Sequence, residues 1–297
     1  DLVAGGWYVV TDDLRQIETV HPSPATPLDL RAWVLDCPFP IHAAMLRRDR
    51  IGDARFDPGA EPSEDWAFWL ELARRGTRMR MIEDPVALYV FHGSNSLSDY
   101  PATAQSAAYM LERFFARPDL PTEVADLRHR ALARVHLARG LRYLDQDKDA
   151  VGHQELSRAA GLHPAWPTDD WPELVALCTG ITSSSHGMRH DAPSLARKAA
   201  LAIGSAYQGR GQAGRQLARR IETAVTEQRF WQQYHQHRHS EAVGSLRALL
   251  TLEPRQALRP RIWRAVAHLL LGHQRRGAAD LERLDRARQV AADCLAS

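Results

Sequence analysis

Apolar and polar positions change rhythm about a third of the way along the chain. Up to residue 98 they alternate in short runs, and beyond it they recur at helical spacing. Trp7 to Thr11 and Gln16 to Val20 are β-prone runs on either side of Asp12-Asp13-Leu14-Arg15, a pattern that predicts a hairpin. Pro22, Pro24 and Pro27 interrupt, and Leu28 to Leu35 is expected to form a short helix. After Pro38 and Pro40, the segment Ile41 to Arg48 suits helix or strand and leads into the loop Phe56-Asp57-Pro58-Gly59. The strongest local signal follows. Ser63 is a good N-cap, Trp66, Trp69, Leu70 and Ala73 fall at i, i+3, i+4 and i+7, and Gly76 is a stop, so a helix with one buried face is predicted. Met79 with Met81, and then Ala87 to Phe91, predict two strands separated by Glu83-Asp84-Pro85.

From Tyr100 onward Ala, Leu and Arg dominate and strand signals vanish. Ala131 to Pro164 carries Leu137, Gly140, Tyr143, Leu144, Ala150, Leu156 and Ala159 ahead of its terminal proline, a span of 34 residues that has the length of a tetratricopeptide-like helix pair. Glu241 to Pro254 reads as the second helix of another pair, followed by Arg261 to Leu271 and Leu281 to Leu295. Thr179 to Pro193, rich in Ser, Gly and His, is the expected internal linker. The expected fold class is therefore an α/β part over residues 1–98 and an all-α helical-hairpin array over 99–297, with a linker near 179–193.

Composition narrows the class. The 297 residues are 44% hydrophobic and 25% charged, enough to bury a real core and unlike a disordered chain. No apolar run approaches the roughly 18–20 residues that span a bilayer, so no transmembrane segment is expected. Cys37, Cys178 and Cys294 are far apart and form no CxxC pair, which argues against a disulfide framework or structural zinc and for a reducing, cytoplasmic setting, peripheral to the membrane at most. The formal net charge of +2 hides an asymmetry: residues 1–100 are net acidic and the remainder net basic. Lys148 and Lys198 are the two lysines among many arginines, a bias on which no nucleic-acid partner is inferred.

Two clusters could carry chemistry. Glu64-Asp65 opens the amphipathic helix, where the dipole favours ionised carboxylates. Such a carboxylate either serves the helix or, in a cleft, accepts a proton from a hydroxyl. His92-Gly93-Ser94-Asn95-Ser96 follows a strand-like run. It reads either as a turn or as a loop whose backbone N–H groups and hydroxyls hold a diphosphate, with His92 as metal ligand or charge partner. Asp145-Gln146-Asp147-Lys148-Asp149 spells Asp-x-Asp but is expected to cap a turn between two helices, and Asp12-Asp13 to sit in the hairpin turn. His235, His237 and His239, two apart in a helical context, diverge too far to share one ion.

Taken in order, Leu35-Asp36-Cys37-Pro38-Phe39-Pro40, Phe56-Asp57, Glu64-Asp65-Trp66-Ala67-Phe68-Trp69-Leu70 through Gly76, Glu83-Asp84-Pro85-Val86-Ala87-Leu88-Tyr89 and His92-Gly93-Ser94-Asn95-Ser96 resemble the C-terminal half of family 2 glycosyltransferases, which have the GT-A fold. The resemblance covers residues 1–97. It implies an inverting transfer of a sugar from a nucleotide-diphosphate donor to an acceptor hydroxyl on a saccharide, lipid or protein. It further implies Asp65 as the catalytic base, Glu64 contacting the acceptor or orienting the base, and His92, Ser94 and Ser96 at the diphosphate, with His92 on a divalent metal (Mg or Mn). Trp66 and Trp69 are expected to serve packing. Two positions depart from the family pattern: Val90 follows Tyr89 where an arginine is common, and Cys37 stands where asparagine is often found. The family's nucleotide-binding half would precede residue 1, so residues 1–297 are expected to lack the donor site and to be inactive by themselves. The competing expectation is a helical-repeat module that binds a protein partner, attached to a catalytically incomplete glycosyltransferase remnant.

Overall fold

A computed structural model of the chain describes residues 1–22, 28–37, 39–90, 100–166, 171–183, 192–206, 211–236, 238–255, 259–262 and 264–265. It is mostly helical, with a small mixed sheet near the start, and divides into two compact units, 1–164 and 165–297.

The first unit is built on one central strand. Strand β1 (Leu2–Val10) pairs antiparallel with β2 (Gln16–Val20) through its second half and with β3 (Ala44–Leu46) through its first, while β4 (Met79–Val90) runs parallel along its other edge. The β1–β2 turn is closed by Leu14 N–H donating to the Thr11 carbonyl, with Leu14 itself at φ +59°, and Asp13 caps it by accepting from the Thr11 hydroxyl. The hairpin expected around Asp12-Asp13 is thus present.

The two strands expected on either side of Glu83-Asp84-Pro85 are one strand. Pro85 has no N–H to give the ladder, and the pairing slips between Ala4 and Trp7, so the extra residues of β4 bulge out. Gly5 and Gly6 make this possible. A Cβ on Gly5 would lie 2.8 Å from a Val86 methyl and 2.9 Å from the Asp84 carbonyl oxygen, which only glycine avoids.

Between β2 and β3 lies the short helix α1 (Leu30–Trp33), capped by the Asp29 carboxylate accepting from Ala32 N–H at 2.9 Å. The ambiguous segment after Pro40 resolves into a single 3-10 turn, Ile41–Ala43, then β3 and the short helix α2 (Arg48–Ile51). Helix α3 (Glu64–Arg74) ends in a Schellman motif: Thr77 N–H donates to the Leu72 carbonyl and Gly76, at φ +77°, to that of Ala73. The expected face differs in detail. Phe68, Trp69, Leu70 and Leu72 are buried, while Trp66 and Ala73 are only half-buried. Ser63 occupies the N-cap position but does not cap; its hydroxyl donates to the Thr103 carbonyl at 3.3 Å.

Helices α4 (Tyr100–Phe115), α5 (Thr122–Ala125) and α6 (Arg128–Asp145) supply the rest of that core. Leu2, Ala4 and Met81 of the sheet, Trp33, Phe39, Trp69 and Leu70, and Met110, Leu111, Phe114, Val124 and Leu132 form one buried cluster. Helix α7 (Asp149–Leu162) folds back on α6 as the helical hairpin expected for 131–164. The turn is the Asp145-to-Asp149 segment, with Asp147 at φ +58°.

The second unit contains α8 (Trp171–Ser183), α9 (Ala192–Ala206), α10 (Gln212–His235) and α11 (His239–Leu252). Gly204 and Gly214 let α9 and α10 touch backbone to backbone, a Cβ on Gly214 meeting the Gly204 carbonyl at 3.0 Å. Phe230, Ala242, Leu246 and Leu249 bind α10 to α11. Residues 179–183 of the expected linker are the end of α8, and 184–191 lie outside the described residues. So do 263 and 266–297, which hold most of the last two expected helices. No helix among the described residues is long and apolar enough to cross a membrane.

Candidate active site

The site forms where the first turn of α3 meets the end of α1. Trp33, which closes α1, is fully buried and packs edge-on against Phe39 (ring centroids 5.5 Å apart) and Trp69 (6.4 Å), with Phe39 and Trp69 at 5.1 Å. Each such pair adds about 0.5–1.5 kcal/mol beyond area burial. This aromatic block fixes the segment Val34–Pro40, which carries Asp36 and Cys37. Asp36 is exposed and reaches Arg134 of α6 at 3.4 Å.

Asp65 lies beside that segment, half-buried, in the first turn of α3. One of its carboxylate oxygens, Oδ1, accepts the Trp66 backbone N–H at 2.7 Å. Burial pushes its carboxyl above the ordinary aspartate value; the Trp66 hydrogen bond pulls the other way, and the charge of Glu64 pushes it up again. Cys37 is close enough to feel it. Burial raises the Cys37 thiol well above its usual value, and the charges of Asp65 and then Asp36 add to the effect, so this thiol stays protonated at neutral pH. Its Sγ–H donates weakly to the Phe39 carbonyl, at 3.7 Å. The Cys37 side chain therefore turns to its own backbone.

Glu64 is half-buried, and its Oε2 is buried with no hydrogen-bond partner among the described residues. The indole N–H groups of Trp33 and Trp69 are in the same condition. An unpartnered buried oxygen beside a carboxylate of raised proton affinity is unfavourable for the fold, and such sites are where function is sought.

No family model, curated protein or solved structure matches this chain.

Of the expected site residues, Glu64 and Asp65 are brought to one turn against a rigid wall. His92, Ser94 and Ser96 lie outside the described residues. Tyr89, on β4, packs against His42 with ring centroids 5.5 Å apart and the rings tilted by 34°. Val90 is exposed. Among the described residues there is no group of three or more His, Cys, Asp or Glu side chains that could hold a metal ion. His235 and His239 stand at the end of α10 and the start of α11, and His237 is outside the described residues. Cys37 and Cys178 form no disulfide among the described residues; the Cys178 thiol is fully buried, which pushes it up to about 12. Sequence reasoning missed Cys37 as a neighbour of Asp65; the only sign of it was its place just before Pro38 and Pro40.

Proposed function

We propose that residues 1–98 are the acceptor side of an inverting, GT-A-type glycosyltransferase in which Asp65 is the general base. One observation carries the reading: a half-buried carboxylate of raised proton affinity, held at a helix start against a rigid aromatic wall. A base must bind a proton more readily than an ordinary aspartate yet remain ionised near neutral pH, and partial burial tunes it that way. The Asp65 carboxylate would take the proton of the acceptor hydroxyl. That oxygen bonds the anomeric carbon from the face opposite the leaving group, and the carbon–oxygen bond to the nucleoside diphosphate breaks with its electron pair leaving on the diphosphate. Glu64, whose Oε2 is buried, would act on the base through its charge and orient it, and His92, Ser94 and Ser96 would face the diphosphate. The described residues do not bring together ligands for the divalent Mg or Mn that the resemblance implies, so no step is assigned to it. A cytoplasmic or membrane-peripheral setting goes with this reading.

The test is transfer from a panel of nucleotide sugars by the natural full-length protein and its Asp65→Asn variant. Asn keeps the acceptor oxygen for Trp66 N–H but cannot take a proton, so turnover is expected to fall by about 10²–10⁴-fold. The same variant has a stability signature. A carboxyl raised by folding contributes stability below the unfolded pKa and loses it as pH rises through the folded one. At neutral pH the ionised Asp65 therefore costs stability. The Asn variant should melt higher than the parent at pH 7, by a degree or two, with the gap closing under acid conditions. Wild-type turnover in Asp65→Asn would remove the base and the reading with it.

A second reading, a module that binds a protein partner, is favoured by the close-packed hairpin of α6 and α7. Under it no nucleotide sugar is consumed and Asp65→Asn changes only stability.

A further inference from the structure

The sequence pattern puts Trp66 among the packing residues of α3, yet Trp69, not Trp66, fills the core. The Trp66 indole N–H instead donates to the carbonyl oxygen of Trp33 at 2.7 Å, across 33 residues of sequence. Its backbone N–H holds Asp65 Oδ1, also at 2.7 Å. The Trp33 ring is in turn clamped between Phe39 and Trp69. One residue thus carries both the tether of the first turn to a fixed point in the core and a grip on the carboxylate. Among the described residues, the charge that acts on Asp65 is that of Glu64 in its own turn, and Asp65 in turn acts on Cys37 of the segment after α1, as does the adjoining Asp36.

Resting on the reading of Asp65 as general base, we propose that Trp66 is its positioning residue, the indole-to-carbonyl bond setting where the carboxylate points by fixing the first turn of α3 against the end of α1. A base works within about 2.6–3.2 Å of the proton it removes. A misplacement of about 1 Å can cost about 100-fold in rate. Packing by itself would ask only for an aromatic ring at this position; the tether asks for an N–H.

The experiment compares the natural full-length protein with Trp66→Phe, and with Trp66 replaced by β-(3-benzothienyl)alanine, which exchanges the indole N–H for sulfur and keeps the ring shape should phenylalanine disturb folding. Two quantities are read: transfer kinetics, and the titration of the Asp65 carboxyl by carbon NMR, assigned with Asp65→Asn. Both variants are expected to lose about 10–100-fold in kcat with KM little changed and the melting temperature near that of the parent. The Asp65 titration should move down toward the ordinary aspartate value as water reaches the loosened turn. Parental kcat and an unmoved titration in the benzothienyl variant would overturn the proposal and leave Trp66 as packing. Parental transfer in Asp65→Asn would instead overturn the base. The titration still decides the tether in that case, since an unmoved midpoint refutes it whether or not any transfer is measured.

Discussion

Glu71 shows how a single side chain can join elements. Its carboxylate accepts from Arg74 at 2.8 and 3.0 Å, from Arg75 at 2.6 Å and from Arg117, just beyond α4, at 3.2 Å. The Arg74 hydrogen bonds, with that of Arg75, outweigh partial burial and hold its pKa at about 2. A carboxyl lowered by folding contributes stability above its unfolded pKa and loses it as pH falls through the folded value. Glu71→Gln is therefore expected to cost about 1–2 kcal/mol at pH 7, a figure kept small because the site is partly solvated and screened by salt. The gap from the parent should close as pH falls from 4.5 toward 2, which urea titrations at several pH values would show. A constant gap would mean the loss is packing. At this scale the sequence was informative about Asp65, whose place at a helix start follows from local spacing. It was silent on Cys37 and on the Trp66 tether, because both depend on contacts between segments some 30 residues apart.

Elements were legible where a local rule dominates and misread where a neighbour decides. The stop at Gly76 and the turn at Asp145–Asp149 follow from left-handed backbone and capping, and both are found. Strand β4 was expected as two pieces because Pro85 breaks a strand in isolation. It is continuous because Gly5 and Gly6 of β1 leave room for its bulge. The α6–α7 hairpin depends on similar room. A Cβ on Gly140 would lie 2.8 Å from Leu156 Cγ and 3.1 Å from the Gly152 carbonyl oxygen. Gly140→Ala should thus destabilise by about 1–2 kcal/mol, overpacking outweighing the roughly 1 kcal/mol that alanine contributes in a helix. Denaturant midpoints measure it; a gain in stability would show that the helices part without cost.

At the scale of the whole chain, the change of composition near residue 98 and the organisation of the core are different things. Met110, Leu111 and Phe114 of α4 and Leu132 of α6 pack in the same cluster as the sheet and α3. A chain ended after residue 98 would leave Trp69, Leu70 and Met81 facing water, whereas one ended after 164 retains the cluster intact. The shorter piece is expected to lose its cooperative thermal transition and near-ultraviolet dichroism, and the longer one to keep both. A cooperative melt from residues 1–98 would show that the helices only decorate a finished α/β core.

The sequence by itself determined the β1–β2 hairpin, helix α3 with its stop at Gly76, the α6–α7 hairpin, and a carboxylate pair at the head of α3. These depend on backbone preferences and spacing within a few residues. Only the tertiary structure decided that α4 to α6 share the core of the sheet, that β4 bulges over two glycines, and that Trp66 reaches Trp33 beside Asp65. Each of these depends on which distant surfaces bury one another, and that burial is a property of the folded chain rather than of any local pattern.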